Sequence, residues 1–376
     1  MQTIGVIGGG QLGRMMALDA KRMGYDVIVL DPADRSPCGQ VADEQIVAGY
    51  DDLDAMDELG RRTDVVTYEF ENIAIAAVER LERNGYRVMP GSHVLAVTQD
   101  RLNEKQFARD CGIPTAEFAA VSSIEDIEAA ATSVGFPAVL KTVRGGYDGK
   151  GQWRVTDLPS ARAAFAQANG AALIWEAFVP FVKELSVVAT RADDDSVIAF
   201  SPGENVHDAG ILIMTIAPAR VSDVVAARAC EIAKTIGRRL NVVGTYCIEF
   251  FLTADGALLV NEIAPRPHNS GHYTIDATPC SQYEQHVRAI CGLPLSQPRL
   301  RCNAIMLNIL GTGTGNHLDG TAELLRDPSI VLHVYGKHHA VNRRKMGHFT
   351  MLVDGPVGDE DIARAHAARA TLRWVE

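Results

Sequence analysis

At 376 residues, with 47% hydrophobic and 22% charged residues, the chain has an ordinary globular balance and length enough for two or three domains. A net charge of −11 with no broad basic face argues against a nucleic-acid partner, so anionic ligands must be gripped by local clusters. No apolar run reaches the roughly 18 residues of a membrane span, Met1-Gln2-Thr3-Ile4 lacks the basic start of a signal peptide, and seven cysteines with no CxxC pair disfavour structural zinc or a disulfide framework, which predicts a cytoplasmic protein.

Thr3–Ile7 is a β-rich apolar run, Gln11–Met23 has helical spacing, and Asp26–Leu30 is apolar again. A helix over Leu53–Arg61 and a third strand, Val65–Tyr68, follow. Alternating β and α units predict a parallel sheet with helices on both faces, a Rossmann-like domain over residues 1–98. Between its first strand and helix stands Gly8-Gly9-Gly10-Gln11-Leu12-Gly13, a GxGxxG turn. Such glycines let the backbone approach an anion, and the helix N-terminus favours negative charge. With Asp31 at the end of the next strand, one reading is an NAD-linked oxidoreductase; the phosphate of another ligand and a purely structural turn are the others. Glu69 and Glu71, just after the third strand, fall on one side if the strand continues, at the carboxyl ends that line a ligand crevice. The alternative is a solvated loop.

A helix capped by Thr98 or Asp100 and ending near Gly112, with Pro114 beyond, opens a small lid domain over residues 99–176. Its strands, Phe136–Val143 and Trp153–Val155, flank Arg144-Gly145-Gly146-Tyr147-Asp148-Gly149-Lys150-Gly151-Gln152. Four glycines in so short a loop suit a lid whose N–H groups cradle phosphates. Gly149-Lys150 is followed by Gly151 rather than Ser or Thr, so the loop is not a Walker A motif. Lys141, on the strand leading in, offers a point charge to a phosphate.

From Leu185 the pattern is strand-rich, with one helix over Asp223–Leu240 and a hairpin, Thr245–Leu252 and Ala257–Ile263, around Asp255-Gly256. A two-residue turn there pairs Ala254 with Ala257 and sets Glu249 opposite Glu262. Bare carboxylates side by side repel; a divalent cation reverses the sign, and hard oxygen ligands suit Mg²⁺. Alternation sends Asn261 to the other face unless the strand ends there. The tail from Arg299 mixes strands with an Ala-rich helix, so residues 177–376 read as a large domain with a small β-rich C-terminal segment. Arg343-Arg344-Lys345 is a dense basic cluster, suited to a phosphate, with a solvated turn as the alternative.

Four segments together resemble the ATP-grasp superfamily, and within it the N5-carboxyaminoimidazole ribonucleotide synthetases: Gly10–Arg14, Gly145–Gln152, Asn261-Glu262-Ile263-Ala264-Pro265-Arg266-Pro267-His268-Asn269-Ser270-Gly271-His272, and Arg344-Lys345-Met346-Gly347-His348. The resemblance implies an α/β and α+β fold in which a two-lobed ATP-grasp unit follows the Rossmann-like domain. It implies a homodimer using ATP, Mg²⁺ (Mn²⁺ as a substitute), bicarbonate and 5-aminoimidazole ribonucleotide. Arg101, Lys141, Gly146 through Gln152, Glu176, Ala177, Phe178, Val179, Glu184, His207, Asn261 and Glu262 would surround ATP, and Glu249 and Glu262 would hold the metal. Gln11, Leu12, Glu69, Glu71, Tyr147, Arg343, Arg344 and Lys345 would receive the ribonucleotide. Arg266 would offset negative charge, His268 and Asn269 would line the bicarbonate and amine pocket, and Asp148 would orient or deprotonate the amine, with His272 as the alternative. The rivals are another ATP-grasp ligase, such as biotin carboxylase or a formate-dependent ribotide transformylase, the dehydrogenase, and an inactive binding module.

Overall fold

The computed structural model describes residues 2–146 and 150–376. The N-terminal unit alternates β1 (Thr3–Ile7), α1 (Gln11–Arg22), β2 (Asp26–Leu30), β3 (Glu44–Ile46), α2 (Leu53–Arg62), β4 (Val65–Tyr68), α3 (Ile75–Arg83) and α4 (Ser92–Thr98). The four strands are parallel in the order β3-β2-β1-β4. The short strand β3 has no counterpart in the sequence reading. Alternation along β1 divides the core. Ile4 and Val6 pack with Leu12, Met15 and Met16 of α1, while Ile7 joins Met56, Leu59, Val78 and Leu81 on the α2 and α3 face.

A break at Gln99–Asp100 separates α4 from α5 (Arg101–Asp110), and the Asp100 carboxylate caps α5 by accepting from Leu102 and Asn103 N–H. The lid follows: β5 (Phe118–Val121), α6 (Ile124–Ser133), β6 (Ala138–Thr142), β7 (Gln152–Val155), α7 (Leu158–Gln167) and β8 (Leu173–Ala177). Its antiparallel sheet runs β5-β8-β6-β7. Leu140 and Trp175 face α6 and α7 across one core.

The remainder builds one large sheet. Its elements are β9 (Phe181–Arg191), β10 (Val197–Ala199), β11 (Gly203–Asp208), β12 (Ile211–Ala217), α8 (Asp223–Arg239), β13 (Gly244–Thr253), β14 (Leu258–Ala264), α9 (Thr274–Ala277), α10 (Gln282–Ile290), β15 (Asn303–Leu310), β16 (His317–Asp319), α11 (Thr321–Leu324), β17 (Ile330–Val334), β18 (Lys345–Val353), α12 (Asp359–Ala370) and β19 (Arg373–Val375). Eight strands run β14-β13-β9-β11-β12-β15-β18-β17, with β10 added to β9. The C-terminal strands therefore extend the same sheet; β16 and β19 pair separately. Tyr283, Val287 and Ile290 of α10 bury themselves among the α1 side chains, which fixes the N-terminal unit against the large sheet. Among the described residues, no helix is long and apolar enough to cross a membrane.

Candidate active site

A cleft of about 720 Å³ opens where the three parts meet. Its acidic wall is the β13–β14 hairpin. The turn is one residue longer than the sequence reading has it. Thr253 N–H donates to Ala257 O at 3.0 Å, and Gly256 adopts φ +85° inside a loop of Ala254, Asp255 and Gly256. Next to that turn Leu252 opposes Leu258, and Phe250 opposes Val260. A β-bulge at Asn261 then restores the expected register, so that Glu249 stands opposite Glu262. The bulge also cancels the alternation expected of Asn261: both Asn261 and Glu262 line the cleft with Glu249.

The two carboxylates are unequally compensated. Glu262 Oε2 accepts from Arg101 Nη1 at 3.2 Å, whereas Glu249 has the His268 imidazole at 3.4 Å. Burial and nearby Arg266 hold His268 well below the usual imidazole range, so it faces Glu249 neutral. Burial and the facing Glu262 push the Glu249 carboxyl up to about 7. Asn261 Oδ1 is buried and has no hydrogen-bond partner among the described residues. These donors fit a hard divalent cation, which would reverse the repulsion and take the orphan oxygen.

Beside this wall lies a buried charge cluster. Lys141 Nζ donates to Glu176 Oε2 at 2.7 Å, with Lys105 Nζ at 3.9 Å from the same oxygen. Burial works against the Glu176 carboxylate, but Lys105 and Lys141 override it and bring the group down to about 2. Glu104 has burial and Glu262 acting together and rises to about 8. Glu184 Oε2 lies 2.9 Å from His207 Nδ1; burial lowers that imidazole, but the Glu184 bond together with the Glu249 and Glu184 charges leaves its pKa raised.

The glycine turn forms the opposite wall, and the N–H groups of its four glycines are already in use. Gly10 N–H and Gly13 N–H (2.8 Å) donate to the Glu69 carboxylate, and Gly9 N–H donates to Asp31 Oδ2 at 2.6 Å. A Cβ on Gly10 would lie 2.3 Å from Glu69 Oε1, so the turn requires glycine there. The helix N-terminus thus holds an internal anion, and Asp31 is spent on Gly9 and on Tyr50 Oη at 2.6 Å rather than on a ribose. Both observations count against the dinucleotide reading. Glu71 instead grips Arg266 in a two-pronged pair, with Nη2 donating to Oε1 at 3.1 Å and Nε to Oε2.

Most residues singled out in the sequence converge here. Gln11, Leu12, Glu69 and Glu71 line the cleft from the N-terminal unit; Arg101, Lys141 and Gln152 line it from the lid side. Glu184, His207, Arg266, His268, Asn269, Arg344 and Lys345 complete it from the large sheet. Glu176, Ala177, Phe178 and Val179 run along the connection behind Lys141, and Gly146 contributes its carbonyl to Arg101 Nη2 at 3.3 Å. Lys150 is exposed, and Gly151 sits at φ +67° beside β7. Tyr147, Asp148 and Gly149 lie outside the described residues. Two expectations change. Arg343 is turned away from the cleft onto Asp208, donating to its carboxylate at 3.1 Å and its carbonyl at 2.6 Å. His272 is fully buried, bonded to Asn269 Nδ2 and Tyr283 Oη at 2.9 Å each and stacked on His348, so it cannot reach a cleft-bound amine.

The sequence reading missed several lining residues. Phe181 and Phe251 stack at 4.7 Å between centroids, and Lys337 enters from a loop. Lys105 and Glu104 were legible only as a helical neighbourhood: Arg101 and Lys105 are four apart on α5 and so share a face.

Family models match the chain in three stretches: the ribonucleotide synthetase preATP-grasp domain over residues 1–99, the ATP-grasp domain over 106–283, and the phosphoribosylaminoimidazole carboxylase C-terminal domain over 304–356. The N5-carboxyaminoimidazole ribonucleotide synthase of Bacillus subtilis is 44% identical over 350 residues, 93% of this chain and 91% of the relative. That of Brucella melitensis is 44% identical over 352 residues, 93% of this chain and 96% of the relative. The solved ADP complex of an N5-carboxyaminoimidazole ribonucleotide synthetase matches with a TM-score of 0.92 at 44% identity, covering 98% of this chain and 96% of that one. The Aspergillus clavatus synthase in complex with ADP and 5-aminoimidazole ribonucleotide matches with a TM-score of 0.89 at 31% identity, covering 98% and 96%.

Proposed function

The chain belongs to the N5-carboxyaminoimidazole ribonucleotide synthase family of ATP-grasp ligases, and we propose that its cleft uses ATP to join bicarbonate to the amine of 5-aminoimidazole ribonucleotide through carboxyphosphate. The observation that carries this reading is the acidic Glu249–Asn261–Glu262 wall beside a basic set, Arg101, Lys141, Arg266 and Lys345, in one cleft. A bicarbonate oxygen attacks the γ-phosphorus as its bond to the bridging oxygen breaks and ADP leaves. The amine then adds to the carboxyphosphate carbon, phosphate departs with the former bicarbonate oxygen, and the amine gives up a proton.

Such chemistry depends on positioning and charge neutralisation. Lys141 and Arg101 supply positive charge at the phosphate end. Arg266, fixed in direction by Glu71, presents charge toward bicarbonate, with His268 and Asn269 beside it. Lys345, with Arg344, serves the ribonucleotide phosphate. Glu69, anchored on Gly10 and Gly13 N–H, faces the ribonucleotide as a fixed acceptor for hydroxyl groups. Asp148 is assigned to the amine on the strength of the lid motif. Mg²⁺, or Mn²⁺ in its place, fits Glu249, Glu262 and Asn261, and when bound it neutralises phosphate charge. The reading includes a cytoplasmic homodimer, which sedimentation at working concentration tests.

The test of the reaction is isotopic. With ¹⁸O-bicarbonate, one labelled oxygen per turnover is expected in the released phosphate, and ADP release is expected to require the ribonucleotide. Unlabelled phosphate, or reduction of NAD with ATP ignored, would remove the reading.

A further inference from the structure

We propose that Lys105, with Glu104 beside it on α5, is a positioning residue for the cation end of the cleft: it holds the β14 bulge that turns Asn261 and Glu262 together toward Glu249. The inference rests on the reading above that this wall takes a divalent cation.

β14 is the edge strand of the large sheet, so its outer backbone groups meet α5 and the segment after it instead of another strand. In a regular strand successive carbonyls point to opposite edges, and one side-chain group cannot receive two in a row. Lys105 Nζ does so: it donates to Val260 O at 3.1 Å and to Asn261 O at 2.9 Å. That geometry exists only because the extra residue turns both carbonyls to one side. On the far side of the bulge, Glu104 Oε1 accepts from Ile263 N–H at 2.5 Å. One turn of α5 thus reaches both displaced carbonyls and the next N–H; Val260 O also accepts from Thr115 Oγ1 at 2.8 Å, which leaves the Asn261 carbonyl to Lys105.

The consequence for the site follows from strand periodicity. Without the extra residue, Asn261 and Glu262 would point to opposite faces, and the Asn261 carboxamide would leave the cleft. The ammonium is an expensive choice of anchor: Lys105 is 1% exposed, and a desolvated cation costs more than an apolar side chain unless its partners satisfy it. Anchoring α5 to the core is already done by Ala108 and Phe107. The lysine adds what they cannot: N–H donors to both displaced carbonyls from one nitrogen, with the Glu176 carboxylate 3.9 Å away.

The test separates hydrogen bonds from charge. Mn²⁺ binding to the full chain is followed by electron paramagnetic resonance with ADP saturating, and ADP binding is measured separately in EDTA. Lys105→Met, of similar length but without donors, is expected to weaken Mn²⁺ at least tenfold more than it weakens ADP, with a melting transition that remains cooperative. Lys105→Gln, neutral but still a donor, is expected to recover at least half of that loss on a logarithmic scale. Mn²⁺ affinity in K105M within twofold of the unaltered chain overturns the proposal, as does a K105Q no better than K105M. Should K105M fail to fold, Glu104→Ala decides: at least a threefold loss of Mn²⁺ affinity supports the clamp, and unaltered affinity overturns it. Glu262→Gln is the reference. If that substitution leaves Mn²⁺ affinity unchanged, the cation reading of the wall fails; if it abolishes binding while K105M does not, only the clamp fails.

Discussion

Two walls of the same cleft carry buried carboxylates and treat them in opposite ways. At the glycine turn, Glu69 is received by Gly10 and Gly13 N–H at the head of α1. Burial still raises its pKa despite these donors, but its position is fixed by the backbone. At the hairpin, Glu249 and Glu262 are set opposite each other, and burial with the facing charge takes Glu249 to about 7. A carboxylate held by backbone donors is a finished part of the protein. Two carboxylates that face each other beside a carboxamide oxygen without a hydrogen-bond partner among the described residues carry repulsion that a bound cation would relieve.

The sharpest way to break this contrast is Glu262→Gln. The substitution is nearly isosteric and removes a charge from the pair. Metal-dependent turnover is expected to fall at least about a hundredfold, since even indirect partners of a metal site cost 10–100-fold when lost. Stability of the metal-free protein is expected to hold or rise, because carboxylate repulsion goes with the charge. Turnover that keeps its Mg²⁺ dependence would return Glu262 to a structural role.

Next in size is the basic side of the ribonucleotide end. Gly10 and Gly13 N–H are committed to Glu69, and Arg344 and Lys345 bring full positive charges to this end of the cleft for the substrate phosphate. Lys345→Ala is therefore expected to raise the Michaelis constant for the ribonucleotide about ten- to a hundredfold, the value of one charge-assisted hydrogen bond of roughly 1.5–3 kcal/mol. The constant for ATP should move much less. Steady-state kinetics with each substrate varied in turn decides it.

The fold was legible wherever periodicity was clean. The strands at Thr3–Ile7, Asp26–Leu30 and Val65–Tyr68 were readable as short continuous apolar runs buried on both faces, and the long helix from Asp223 by the one apolar face that it buries. What escaped was set by contacts distant in sequence. The facing of Glu249 and Glu262 was reached through a two-residue turn, but the chain achieves it with a longer turn and a compensating bulge. No local signal marks that bulge, because the groups that accept it lie on α5, more than 150 residues earlier. His272 looked like chemistry by its motif and is packed by its neighbours Tyr283 and His348. The glycine turn looked open to an anion and was filled by Glu69, 56 residues further on.

A smaller effect sharpens the hairpin side of the comparison through pH. Glu249 rises to about 7 and Glu104 to about 8, both above the ordinary 4.5 expected when the chain unfolds. Groups raised in this way favour the folded state when protonated, so their contribution is full below pH ~4.5 and is lost as pH rises through ~7 to 8. Glu176, held at about 2, acts in the other direction and matters only as pH falls below ~4.5. In EDTA, stability is thus expected to decline between pH ~4.5 and ~8. Glu249→Gln should remove the part below ~7, on the order of 3.5 kcal/mol for ~2.5 units at ~1.4 kcal/mol per pKa unit. Urea midpoints across that range measure it, and an equal slope in both proteins would show that Glu249 titrates normally.

The smallest effect is expected from Arg343→Ala, and its smallness is informative. Arg343 belongs to the same basic triplet as Arg344 and Lys345, yet only the latter two line the cleft. Its guanidinium sits on Asp208 in a pair that is 40% and 61% exposed. Exposed pairs of this kind contribute about 0–1 kcal/mol. The backbone at position 343 is left-handed, φ +64°, but alanine carries the same Cβ burden as arginine there, so the substitution adds no strain of its own. Stability should therefore fall by less than about 1 kcal/mol. The Michaelis constant for the ribonucleotide should stay within about twofold, against the ten- to hundredfold expected for Lys345→Ala. A rise in that constant comparable to the Lys345 variant would mean that Arg343 leaves Asp208 when substrate binds, and that the phosphate is shared by the whole triplet.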